Sequence, residues 1–157
     1  MGFSKSQQLK EYIRPLLSAM RDFSERSVRI QIEKILIPEC QIKMCFPFGE
    51  IKGIESYFDT IYKPLLKAFP NLERRDLIVL AGETPEESDW VACMGNYFGT
   101  FISPFLEILP TGHLTHMRFH EFYRFENAKV IEIQIIWDLP EVMMQSNSWP
   151  MAPQLGR

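Results

Sequence analysis

Cysteine is scarce in this chain: three in 157 residues, Cys40, Cys45 and Cys93. An odd number without Cys-x-x-Cys spacing excludes a disulfide framework and the common zinc sites. Each thiol sits among apolar neighbours, where cysteine behaves as a small hydrophobe, so a reduced, cytoplasmic protein is expected. Long apolar runs are missing too. The best candidate, Val130 to Trp137, is interrupted by Glu132 and Gln134, and a membrane helix needs roughly eighteen apolar residues. No membrane partner is expected, and no apolar stretch of the secretory kind opens the chain. Basic charge is not in excess. Lys and Arg number 17 against 20 Asp and Glu, for a net charge of −3. With no basic stripe, nucleic acid is not an expected partner. P-loop, dinucleotide-binding, nucleophile-elbow and zinc-protease signatures are all absent.

What is present is ordinary. Apolar residues make up 46% and charged residues 24%, which suits a globular protein, and the length suits one domain spanning residues 1–157. Met1-Gly2-Phe3-Ser4-Lys5-Ser6 fits the N-acylation pattern, a match short enough to arise by chance.

Helical spacing runs through Leu9, Ile13, Leu16, Leu17, Met20 and Phe23. Pro15 implies either a start near Arg14 or a kink. Val28, Ile32 and Ile35 suggest a second helix stopped by Pro38, and Cys40 to Phe46 reads as a short strand. Pro47 to Gly53 is turn-rich; Ile54, Phe58, Ile61 and Leu65 give a third helix with Pro64 at a kink or boundary. From Leu77 the period becomes that of strands. Leu77 to Ala81 is a short one, and Trp90 to Phe101 a long one whose Gly95 and Gly99 favour a bulge or bend. His113 to Phe125 and Val130 to Asp138 form a terminal hairpin, followed by a helical turn from Pro140 to Gln145. Helices first and a strand meander afterwards indicate α+β.

The terminal hairpin carries the most information, because register decides which residues share a face. A three-residue loop at Glu126, Asn127 and Ala128 pairs Phe125 with Lys129. One face then collects Met117, Phe119, Glu121, Tyr123 and Phe125 with Ile131, Ile133, Ile135 and Trp137. The other collects His116, Arg118, His120, Phe122 and Arg124 with Val130, Glu132, Gln134, Ile136 and Asp138. A plain two-residue turn would mix apolar and charged residues on both faces. Ala128 would occupy the left-handed position at a cost of about 1 kcal/mol.

Glu121 is thereby the one carboxylate in an apolar wall. Burial raises a carboxyl above its usual value of about 4.3 unless a partner holds the anion. A carboxylate so tuned suits proton abstraction, with Tyr123 on the same face as hydrogen-bond donor. The alternative is a structural carboxylate satisfied by a nearby donor. On the polar face, His116 and His120 stand about 13 Å apart by strand rise, too far to share a metal ion. Trp90, Tyr97 and Phe98 read as core aromatics, and Glu83 to Asp89 as a solvated acidic turn.

These residues resemble the SnoaL-like polyketide cyclase group of the nuclear-transport-factor-two-like (cystatin-like) superfamily, over roughly residues 28–145. The resemblance is carried by Phe48-Gly49 to Gly53, Gly95 to Phe101, Pro110-Thr111-Gly112, Phe122-Tyr123-Arg124-Phe125, Lys129-Val130-Ile131-Glu132 and Trp137-Asp138. Met143-Met144-Gln145 and Trp149-Pro150-Met151-Ala152-Pro153 look like one uncharacterised branch. The resemblance implies a cone-shaped, curved antiparallel sheet with N-terminal helices on its concave face, an apolar cavity and a homodimer formed through the sheet. In the cyclases a His before the last hairpin turn and a His-Trp-Asp run on the next strand carry the site. The Asp acts as acid/base in a cofactor-free aldol ring closure. Those positions fall here on Glu121 and on Ile133, Gln134 and Ile135, so every one departs from the pattern and Glu121 stands as the replacement acid/base.

The expectation is a cavity protein for a small apolar, carbonyl-bearing molecule, needing no cofactor and no metal. Glu121 and Tyr123 are the candidate catalytic pair, and Met117, Phe119, Ile133, Ile135 and Trp137 the cavity lining. As an enzyme it would be a cyclase, isomerase or lyase; the alternative is a non-catalytic ligand-binding or dimeric interaction module.

Overall fold

The structure, a computed structural model, describes residue 2 and residues 4–151. Met1 and Phe3 of the acylation pattern, and Ala152-Pro153 of the tail, lie outside these.

Helix α1 (Lys5–Arg21) begins at Ser4, whose hydroxyl accepts from the Gln7 backbone N–H while the Gln7 side chain accepts from the Ser4 N–H. This capping box satisfies donors that a helix start leaves open. Pro15 lies inside α1, which neither begins nor ends there. The buried stripe Leu9, Ile13, Leu16 and Met20 recurs at helical spacing and outweighs the lost backbone bond. Helix α2 (Glu25–Ile35) passes directly into strand β1 (Leu36–Met44), so Pro38 sits early in a strand instead of ending a helix. A short strand β2 (Glu50–Lys52) occupies the turn-rich link.

Helix α3 (Ile54–Tyr57) continues through a π-helical turn, Phe58–Tyr62, into α4 (Lys63–Ala68). Widening the turn stacks residues five apart, whereas an α-helix would splay them. Tyr57 and Tyr62 consequently meet, hydroxyl to hydroxyl, at 2.8 Å in the core. Strands β3 (Glu73–Glu83), β4 (Asp89–Thr100), β5 (Leu114–Glu126) and β6 (Lys129–Trp137) follow, then α5 (Leu139–Gln145). Asp138 caps α5 by accepting from the Glu141 backbone N–H.

The six strands form one curved sheet in the order β2-β1-β6-β5-β4-β3. Four pairings are antiparallel as expected, and β1 runs parallel to β6. Helix α1 packs against β3 and β4, α2 and α3 against β1, and α5 against β5.

The hairpin corrects the expected register while keeping its faces. Glu126 pairs with Lys129, so the loop is only Asn127 and Ala128, both at positive φ (49° and 61°). Such a turn matches the twist of the strands it joins. One residue later the register shifts between Arg124 and Phe125. That bulge admits Ile131 as an extra residue, leaving Val130 buried opposite Phe125 instead of on the polar face. Beyond it Tyr123 faces Ile133, Glu121 faces Ile135 and Phe119 faces Trp137. A two-residue turn plus one bulge thus preserves the segregation that a simple three-residue loop would give.

Candidate functional site

Glu121 lies in the middle of β5, flanked by Cys93 on β4 and Ile135 on β6. Strand alternation puts Met117, Phe119 and Tyr123 on its face, and Ile133, Ile135 and Trp137 join from β6. All of these are buried, and Glu121 has no accessible surface. The structure therefore brings together the whole candidate set, packed as core around one carboxylate.

Each carboxylate oxygen receives two donors. Oε1 accepts from the Tyr97 hydroxyl at 3.0 Å and the Trp137 indole N–H at 3.1 Å. Oε2 accepts from Arg74 Nη1 at 2.5 Å and the Tyr123 hydroxyl at 2.6 Å. A carboxylate offers about four acceptor positions, so none is left over.

Arg74 enters from the start of β3, also with a fully buried side chain. Its Nη1 donates to the Tyr97 oxygen at 3.0 Å as well, while Nε and Nη2 donate to Asp76 at 3.1 Å and 2.9 Å. The guanidinium lies over the Phe119 ring, 3.9 Å from its centroid, a contact that stabilises a desolvated cation. Gly95 makes this approach possible. A Cβ there would sit 2.0 Å from the Arg75 carbonyl oxygen and 2.9 Å from Phe119 Cζ. The β3 register shifts directly beside its partner Asp76, between Asp76 and Ile78.

Burial by itself would raise the Glu121 carboxyl. The Arg74 charge and the hydrogen bonds from Arg74, Tyr123 and Trp137 overcome it and hold the pKa below the ordinary range. Desolvation and then the Glu121 charge push the Tyr97 and Tyr123 hydroxyls well up, so both stay phenols and donate. Cys93, beside Glu121, is pushed up to about 12 by burial. Arg74 stays charged: desolvation works against it, but the Glu121 charge more than compensates.

Sequence reasoning placed Glu121 and its wall and missed the cation. Arg74 lies ahead of Leu77, where the strand period is expected to begin, while the observed strand starts at Glu73; its signal is that Arg74 and Asp76, two apart, share a strand face, and that a lone buried carboxylate needs a counter-charge. Tyr97, read as core, is core and donor together. His116 and His120 lie on the opposite face. Among the described residues no three His, Cys, Asp or Glu side chains group as metal ligands.

Helices held in a curved sheet, with one ion-paired carboxylate in the interior, define an α+β cone. The family follows directly: the model described as SnoaL-like polyketide cyclase matches residues 14–146, and the chain belongs to that family. Its fold is shared by a putative SnoaL-like polyketide cyclase from Jannaschia sp. CCS1 (22% identity, TM-score 0.75, 96% of this chain and 99% of that one). It is shared also by AclR, a putative hydroxylase from Streptomyces galilaeus (19%, 0.75, 96% and 87%), and by IdmH, a putative polyketide cyclase from Streptomyces antibioticus (17%, 0.70, 89% and 99%). At these identities the likeness concerns the fold. No curated protein matches the chain significantly.

Proposed function

We propose that this chain is a non-catalytic member of its family, a dimeric binding module in which the Glu121–Arg74 cluster is a structural ion pair. One observation carries the reading: every acceptor position of Glu121 is taken. A general base needs a lone pair directed at the substrate and a pKa near the working pH. Glu121 has neither, being fully bonded and held as a low-pKa anion. Tyr123 spends its proton on Glu121 and has none to offer a substrate carbonyl.

The module's second element is the outer sheet face. Leu80, Ala92, Phe122 and Gln134 form one row across four strands, and Ile78, Met94, His120 and Ile136 the next. Leu80 and Ile136 are more than half exposed there. A self-complementary apolar strip of this kind suits a two-fold homodimer.

The placement of Glu121 opposite Ile135 favours a second reading, catalysis by Glu121 and Tyr123 on a small carbonyl-bearing molecule. It requires an opening of the interior that removes Trp137 or Tyr123 from the carboxylate. Carboxyl-carbon NMR of Glu121, with Glu121→Gln as the assignment control, separates the readings. The binding-module reading predicts a pKa below the ordinary carboxylate range, with or without added cyclic ketones. A pKa that climbs toward neutrality when ketone is added would overturn it in favour of the acid/base reading.

A further inference from the structure

Outside the core cluster, four arginines line the groove between α1 and β3. It encloses about 340 Å³ and is lined by Arg14, Leu17, Ser18 and Arg21 from α1 and by Arg74, Arg75 and Asp76 from β3. The spacing i, i+3, i+4, i+7 places the four α1 residues in one stripe alongside the strand. Asp76 is the one carboxylate in the lining, while Glu121, Glu73 and Glu11 meet Arg74, Arg75 and Arg14 from outside it, so the spare positive charge of the groove rests with Arg21.

The guanidiniums differ in what already holds them. Arg74 forms the floor and is committed to Glu121 and Asp76. Arg75 is oriented by main chain: its Nη1 donates to the carbonyls of Arg21 at 2.9 Å and Arg74 at 3.2 Å, and its Nη2 pairs with Glu73. Arg14 gives one nitrogen to Glu11 at 2.7 Å. Arg21 has no ion pair among the described residues. Arg14 and Arg21 are exposed at the rim, and the Ser18 hydroxyl between them adds a donor. Leu17 supplies an apolar wall. Planar forks around a groove of this size match a carboxylate or phosphate bidentately, and the volume exceeds what an inorganic ion alone fills.

We propose that this groove binds a small organic anion, a carboxylate or phosphate ester, with its charged group between Arg14, Arg21 and Arg75 and its apolar part against Leu17. The site is separate from the interior and stands whether or not the cone binds or converts anything. Arg74 is the charged link between the two, since one end of its guanidinium meets Asp76 at the groove and the other meets Glu121 in the core. Occupancy is therefore expected to shift the Glu121 carboxyl resonance slightly while leaving its hydrogen bonds intact.

The test titrates ¹⁵N-labelled protein with citrate, with glycerol 3-phosphate and, at matched ionic strength, with sodium chloride. Wild type is compared with the double variant Arg14→Gln/Arg21→Gln, whose altered side chains are exposed and whose fold is checked by circular dichroism. Saturable shifts at the amides of Ser18, Arg21, Arg75 and Asp76, absent with chloride and weakened at least tenfold in the double variant, support the site. The tighter of the two anions names its class. Unsaturable shifts scattered over the surface, or equal affinity in wild type and double variant, overturn it. The Glu121 pKa measurement is independent of both results, so failure here leaves the reading of the interior untouched.

Discussion

Arg74 and Glu121, 47 positions apart in the chain, meet at 2.5 Å with neither side chain exposed. The strand that supplies the cation sits at one edge of the sheet and the carboxylate is two strands inward. The pair therefore ties the sheet together across β4, with Tyr97 on that strand bonded to both partners. Removing one member of a buried pair leaves an uncompensated charge, which costs about 3–5 kcal/mol, whereas replacing both by apolar groups is often neutral. Arg74→Met alone and Glu121→Leu alone are each expected to destabilise by that amount in urea unfolding. The double variant is expected to be more stable than the sum of the two single losses implies but to recover only part of them, because the Tyr97, Tyr123 and Trp137 donors lose their acceptor and Asp76 its cation. A double variant as unstable as the sum of the singles would show that the two side chains act separately.

Glu121 should hold its charge in the folded state to lower pH than an ordinary carboxylate does. Its folded pKa lies below its unfolded value, so the folded state binds the proton less readily than the unfolded state does. The stability this supplies is fully present above the unfolded pKa, near 4.5, and is lost as pH falls through the folded pKa. Glu132 shifts the same way; burial opposes the shift, and hydrogen bonds from Lys43 and Gln134 outweigh it. Stability measured by urea between neutral pH and acid is therefore expected to fall less steeply for Glu121→Gln than for wild type. Parallel slopes would mean that Glu121 has an unshifted pKa.

The faces of the terminal hairpin were legible because hydrophobic alternation survives an even error in register. The expected and observed pairings of Glu121 differ by two residues along β6, and a shift of two returns every side chain to the same face. The bulge at Ile131 was not legible, since nothing local distinguishes Val130 from Ile131 as the inward residue. Arg74 escaped for another reason. Its neighbours Glu73, Arg75 and Asp76 are charged, and only the arrival of β5 two strands away makes one of the four a core residue. Helix α3 to α4 was visible as a periodic stretch, but the π-helical turn that brings Tyr57 onto Tyr62 depends on tertiary packing.

Gly95 offers a test of how closely β3 and β4 approach at the bulge. Its missing side chain leaves room for the Arg75 carbonyl and the edge of Phe119, and backbone cannot move aside as a flexible side chain does. Gly95→Ala is expected to destabilise by about 3 kcal/mol, at the upper end of overpacking costs, and to disturb the Phe119–Arg74 contact. Gly82 in the same sheet has nothing within 4 Å of a built Cβ. Gly82→Ala is expected to change stability by about 0.5 kcal/mol or less. Thermal unfolding of the two variants side by side checks the contrast, and equal effects would refute the close-approach argument.

The outer face gives the sharpest test of the dimer. Ile78, Leu80, Phe122 and Ile136 are apolar and exposed on adjacent rows, a clustering that a monomer has little reason to keep. Lys43, Glu132 and Arg124 sit at one margin as an ion-paired ladder across β1, β6 and β5, so the apolar strip has a charged rim on that side. In a two-fold pairing each substitution enters the interface twice. Leu80→Glu with Ile136→Glu therefore places four carboxylates in the dimer, where like charges repel and lose hydration. Neither residue packs into the protomer's core, so the fold and its unfolding in dilute solution are expected to change little. Sedimentation equilibrium is expected to show a wild-type dimer and a folded monomer for the double variant. A wild-type monomer at high protein concentration would remove the dimer from the proposal and leave the strip to a different partner.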